Sequence, residues 1–209
     1  MKKFLLSVAT SSLLATLSYA GGDIEPVQDV IIPQNVETVN SISGLYMGAA
    51  IGSMKLANDL TGESFTTKTI TLQVGYEIYD YLAIEGRYTR GVGDVQYKHG
   101  NLSIADISNY PTDMSNIALY LKPKYQYEDF TAYALLGYGE VTVTNIPQGD
   151  KDRAESGFQW GLGLGYLIND TYELFADYTV MYDGIGFDHR ATNANNKVDT
   201  INFGFNYKF

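Results

Sequence analysis

Cysteine is absent from the 209 residues. That excludes a disulfide framework, a thiolate nucleophile and a thiolate metal site. Histidine is nearly absent, with only His99 and His189, and proline occurs just five times. Basic residues are scarce: 14 Lys and Arg stand against 24 Asp and Glu, for a net charge of -10. A nucleic-acid binder needs a basic face to neutralise phosphates, so that class is excluded. No window of 18 consecutive apolar residues exists, so a helical membrane span is excluded as well. What the chain has in abundance is aromatic residues and glycine: 18 Tyr, 9 Phe, the single Trp160 and 21 Gly. Aromatics pack well on pleated surfaces, and this composition favours strands over helices. The length suits one domain.

The first twenty residues stand apart. Lys2 and Lys3 precede a mostly apolar run from Phe4 to Leu17, and Ser18-Tyr19-Ala20 before Gly21 fits a small-x-small cleavage site. The expectation is a secretory signal peptide over 1–20, whose removal takes two positive charges and moves the net charge from -10 to -12. Residues 21–42 contain two prolines and no sustained period, and are expected to form an extended periplasmic segment.

From residue 43 to 209 the period is two. In "TKTITLQVGYEI", Ile70, Leu72, Val74, Tyr76 and Ile78 share one face, and Thr69, Thr71, Gln73, Gly75 and Glu77 share the other. The same alternation sets Leu82, Ile84, Gly86 and Tyr88 against Ala83, Glu85, Arg87 and Thr89. It sets Ile117, Leu119, Leu121 and Tyr125 against Ala118, Tyr120, Lys122 and Lys124. Phe158 to Ile168 alternates with Gln159, Gly161, Gly163 and Gly165. Tyr172, Leu174, Ala176, Tyr178, Val180 and Tyr182 oppose Glu173, Phe175, Asp177 and Thr179. Ile201 to Phe209 opposes Asn202, Gly204, Asn206 and Lys208. "GLYMGAAIGSM" puts Leu45, Met47, Ala49 and Ile51 on one face, and with "FTAYALLGYGEVTV", whose faces the pattern leaves open, this predicts eight strands of about ten or more residues. A tilted strand crossing a bilayer needs about 9–11. Tight connections are expected at residues 79–81, 128–129 and 169–170, and long polar ones at 56–66, 96–113, 145–155 and 184–198. Short turns at one end and long loops at the other is the layout of an outer-membrane barrel. Tyr76, Tyr81, Tyr125, Tyr127, Phe130, Tyr166 and Tyr172 all lie close to the short-turn end, where a periplasmic aromatic girdle would sit. The fold class that follows is all-β: an eight-stranded antiparallel up-and-down transmembrane β-barrel.

The last strand reads "NFGFNYKF". It resembles the C-terminal assembly signal of bacterial outer-membrane barrels, with Asn202, Gly204, Tyr207 and Phe209 in the defined places. Residues 43–209 as a whole resemble the small eight-stranded barrels of the OmpA transmembrane-domain and OmpX type. The resemblance implies an outer-membrane location in a Gram-negative envelope. It implies contact with outer-membrane lipid and lipopolysaccharide, and with the barrel assembly machinery and periplasmic chaperones during biogenesis. A monomer is expected. Unlike OmpA, the sequence carries no peptidoglycan-binding domain after the barrel, so cell-wall anchoring is not implied.

Motifs for chemistry are weak. "GLGLG" (Gly161, Gly163, Gly165) lacks the strand-turn-helix context of a phosphate loop, and glycines alternating on one strand face make room inside a narrow barrel. His99 and His189, with Asp183, Asp188, Ser103 and Ser108 nearby in sequence, fall in expected loops. So do the acids Asp150, Asp152 and Glu155. Neither set has the spacing of a metal site or a catalytic constellation. No enzyme, no cofactor and no metal site are expected. The inward charges Glu85, Arg87, Lys122, Lys124 and Asp177 fall at similar depth with nearly balanced signs, and are expected to pair in an interior network. The expected function is structural and surface-interacting, with acidic loops outward and a filled interior. A narrow path for ions or small solutes is the alternative reading of the same charges, and a lipid A-modifying enzyme is a third.

Overall fold

Alternation becomes extended chain in the computed structural model, which describes residues 43–60, 62–99, 102–104, 113–144, 153–185 and 195–209. The strands are β1 (Leu45–Asn58), β2 (Glu63–Tyr79), β3 (Leu82–His99), β4 (Leu102–Ile104), β5 (Met114–Tyr127), β6 (Phe130–Val143), β7 (Arg153–Leu167), β8 (Tyr172–Gly184) and β9 (Asn196–Lys208). Every pairing is antiparallel. Eight of the strands form a ring, each bonded to the next in sequence, with β3 passing over the short β4 to pair β5 and with β9 returning to β1. Closure leaves the ring without an unpaired edge, the usual liability of a sheet. Among the described residues there is no helix. The fold is the expected closed eight-stranded up-and-down barrel.

Turns at one end are tight. Asp80 and Tyr81 alone join β2 to β3, and Glu128 and Asp129 join β5 to β6, with Glu128 in the left-handed region (φ 52°). Asn169 closes the β7–β8 turn, its side-chain oxygen accepting from the backbone N–H groups of Thr171 and Tyr172. The other end departs from expectation. β1 runs to Asn58 and β2 begins at Glu63, so the connection expected at 56–66 is only four residues long. The strand β3 continues to His99, and β4 folds back on it within the expected 96–113 loop. With 13–18 residues each, the ring strands are longer than a bilayer requires, so their loop ends stand clear of the hydrocarbon.

Faces follow the alternation, including the one left open: Thr131, Tyr133, Leu135, Val141 and Val143 of β6 are buried, while Phe130, Leu136 and Tyr138 are exposed. The expectation fails in β8. A bulge between Val180 and Tyr182 inserts Met181, so Tyr182 pairs with Val198 and joins the interior instead of following Tyr178 outward. Val180 keeps its outward register opposite Trp160 but is itself buried. One extra residue shifts a period-two pattern to the other face.

Candidate functional site

Glu85 organises the lower interior. Its carboxylate accepts from Tyr46 Oη at 2.6 Å, pairs with Arg87 Nε at 2.6 Å and with Lys122 Nζ at 2.8 Å. Arg87 Nη1 lies 2.8 Å from Asp177 Oδ2, and Asp177 also accepts from Tyr133 Oη and from Asn202 Nδ2. All four charged groups are buried. The Arg87 guanidinium sits between the rings of Tyr120 and Phe175, at 5.9 and 5.8 Å from their centroids. Lys122 lies 4.3 Å from the Tyr133 ring centre and 5.1 Å from that of Tyr46. Two cations and two anions, held in place by hydroxyl donors and aromatic faces, meet the condition for burying charge.

Lys124 does not belong to this cluster. It pairs with Glu77 at 2.6 Å near the turn end, where Lys208 Nζ reaches the same carboxylate at 3.2 Å. The separation follows from register: Lys122 stands opposite Ala83, one step from Glu85, whereas Lys124 is two residues nearer the turn. Asn202, expected only as part of the assembly signal, is an interior ligand of Asp177. The glycines of the interior make the space for this cluster. A side chain on Gly75 would strike the Tyr46 ring, and one on Gly163 the Tyr133 ring.

Above the charges lies a layer of neutral polar groups. Asn116 and Gln159 exchange hydrogen bonds, Tyr120 Oη donates to Gln159 Oε1, and the Thr71 and Thr89 hydroxyls meet at 2.9 Å. Higher still the interior turns apolar. Met54, Leu56, Met114, Val141, Val143, Met181, Tyr182 and Val198 form one buried cluster with Phe65 packed against it. These positions look like ordinary period-two apolar residues, and only the strand orientations show that they point inward.

The outer wall carries an apolar band bounded by charge. On β2 the exposed residues run from Ile78 up to Ile70, and the next outward residue is Lys68. On β3 the run ends at Arg90, on β6 at Glu140 and on β1 at Lys55. Tyr76, Tyr81, Tyr125, Tyr127, Phe130, Tyr166 and Tyr172 are all exposed at the turn-end rim. Phe130 meets Tyr166 across strands, and Tyr172 meets Tyr207, which packs edge-on against Phe209. A second aromatic ring, at the loop end, escaped the sequence reading: Tyr88, Tyr138, Phe158, Trp160 and Tyr178 stand just below the bounding charges. Two such rings flanking an apolar band match the two bilayer interfaces. Beyond the band, Phe65 packs on Tyr97, whose hydroxyl donates to Glu63. That hydrogen bond to a carboxylate pushes the Tyr97 hydroxyl up to about 12.

Of the residues weighed for chemistry, His189, Asp188, Asp150, Asp152 and Ser108 lie outside the described residues, and the side chains of His99 and Ser103 do too. Among the described residues no three His, Cys, Asp or Glu side chains converge as a metal site.

An apolar outer band, a filled interior and short turns at one end define a transmembrane β-barrel. A family model described as the outer membrane protein beta-barrel domain matches residues 32–209, and the chain belongs to that family. Its place is therefore the bacterial outer membrane. No curated protein sequence matches the chain. Among solved structures it is similar to Neisserial surface protein A, with 22% identity and a TM-score of 0.56 over 80% of this chain and 98% of that one. It is also similar to Ail, the attachment invasion locus protein of Yersinia pestis, with 16% identity and a TM-score of 0.51 over 80% of this chain and 99% of that one. Both likenesses concern the fold.

Proposed function

We propose that the protein is a non-conducting scaffold of the outer membrane that works at its surface, presenting its long connections to the exterior while its wall contacts lipid. The observation that carries this reading is the occupancy of the interior. Paired charges, a neutral polar layer and an apolar cap follow one another along the barrel axis, and their side chains are buried at each level. An eight-stranded barrel has just enough interior for its side chains. An ion crossing it would have to break the Glu85 pairs and then pass the Met54–Met114–Val198 cluster, where nothing solvates charge.

Biogenesis in this reading uses the signal over 1–20, cleaved on export, and the terminal strand with Asn202, Gly204, Tyr207 and Phe209 as the feature read by the assembly machinery. The connections carry mixed charge, with Asp106, Asp150, Asp152 and Asp188 beside Lys151 and Arg190, and are the part available to an extracellular partner. Neither catalysis nor a cofactor enters the reading. Planar-bilayer recording of the purified, refolded protein tests it. The expected result is no step conductance above background. Reproducible wild-type channels, with ion selectivity that changes in Lys122→Ala, would overturn the scaffold and assign the interior charges to a path.

A further inference from the structure

The apolar wall is not uniform. An open groove of about 610 Å³ runs across β2, β3, β5 and β6, walled by Leu72, Val74, Tyr88, Ile117, Leu119 and Tyr138 and floored by Gly86. The register explains it. Val74, Gly86, Leu119 and Tyr138 stand in one row across four strands, so three large side chains surround one position that has none. Gly86 differs from the interior glycines. A Cβ placed there would meet nothing nearer than Val74, at 3.9 Å. The space is open to the membrane and no neighbouring side chain fills it.

At the loop end of the groove the chemistry changes from apolar to cationic. Arg90 follows Tyr88 on the same face, with a side chain 59% exposed and one pairing to Asp113 at 2.8 Å. On β2, Lys68 lies one outward position above Ile70, the residue that pairs with Arg90. It is exposed and has no ion-pair partner among the described residues. From Gly86 to Arg90 the strand rises roughly 13 Å at about 3.3 Å per residue, a span that an extended acyl chain covers. The volume falls in the range of small-molecule sites.

We propose that this groove binds one acyl chain of the phosphorylated, multiply acylated glycolipid of the outer leaflet, with a phosphate of its headgroup against Lys68 and Arg90. The apolar floor takes the chain and the two cations take the anion, and both lie on one face in the order that a lipid entering from the outer leaflet requires. Glu140, in the row of Tyr88 on the far side of Ile117, keeps the anion toward β2 and β3. The site needs membrane insertion but is independent of whether the interior conducts.

Native mass spectrometry tests the proposal on protein refolded with equimolar bis-phosphorylated lipid A and phosphatidylglycerol. Wild type is expected to retain one lipid A in preference to phosphatidylglycerol. Gly86→Leu fills the groove from its floor and should lower that retention at least tenfold while the protein remains heat-modifiable on gels. Val74→Trp fills it from the side and should act alike, which decides the matter if the glycine variant does not insert. The double variant Lys68→Ala/Arg90→Ala should lose the preference for phosphorylated over dephosphorylated lipid A. Undiminished retention in the filled variants, equal retention of phosphatidylglycerol, or no retained lipid in wild type would each overturn the site. Bilayer conductance reports only on the interior, so the two readings fail separately.

Discussion

Glu85 is the residue on which the interior depends, because one carboxylate serves Tyr46, Arg87 and Lys122 together. Glu85→Gln keeps the shape and removes the charge, leaving Arg87 with Asp177 and depriving the buried Lys122 of its carboxylate. Breaking a buried pair in this way costs about 3–5 kcal/mol, and urea unfolding in lipid vesicles should show a loss of that size. A loss below about 1 kcal/mol would mean that water screens the cluster and the interior is wet. The glycines offer a contrast at the same scale. Gly163→Val drives a side chain into the Tyr133 ring, and overpacking of this kind costs about 1–3 kcal/mol. Gly86→Leu, built outward into open space, should leave stability near wild type in the same assay.

Single strands are tested by their faces. Leu119 lies midway along the outward run of β5, between Ser115 and Tyr125, and is exposed to lipid. Leu119→Arg should cost ~2–4 kcal/mol, as charge does at the bilayer midplane, whereas Ser115→Arg, level with Arg90 at the upper rim, should cost little. Equal losses in folding titrations would mean that the band is misplaced. The last strand bears on assembly. Phe209 packs on Tyr207 and its N–H donates to Leu45, next to the seam where β9 meets β1. Deleting Phe209 should lower the heat-modifiable protein recovered in outer-membrane fractions, and wild-type recovery would remove that strand from any role in insertion.

At the scale of the molecule, two barriers stand in series along the axis: the charged layer around Glu85 and the apolar cap around Met54 and Met114. Opening one leaves the other closed. Lys122→Ala alone should therefore remain silent in planar bilayers, and so should Met54→Ala/Met114→Ala alone. Only the combination should admit ions. Conductance from either single opening would show that the remaining layer does not seal the barrel.

Much of this was legible in the chain itself. Strand number, lipid-facing positions and the turn-end girdle follow from period two, because alternate side chains of an extended backbone must point to opposite faces. The signs of Glu85, Arg87, Lys122 and Asp177 were visible, and so was the need for them to pair. Tertiary structure alone decided who pairs with whom. Lys124 joins Glu77 because strand register, set by hydrogen bonds between distant segments, carries it below Glu85. Tyr182 turns inward because β8 takes a bulge that no local pattern requires. The Gly86 groove exists only where four strands align their outward rows, since an empty space is a property of neighbours and a sequence names one residue at a time.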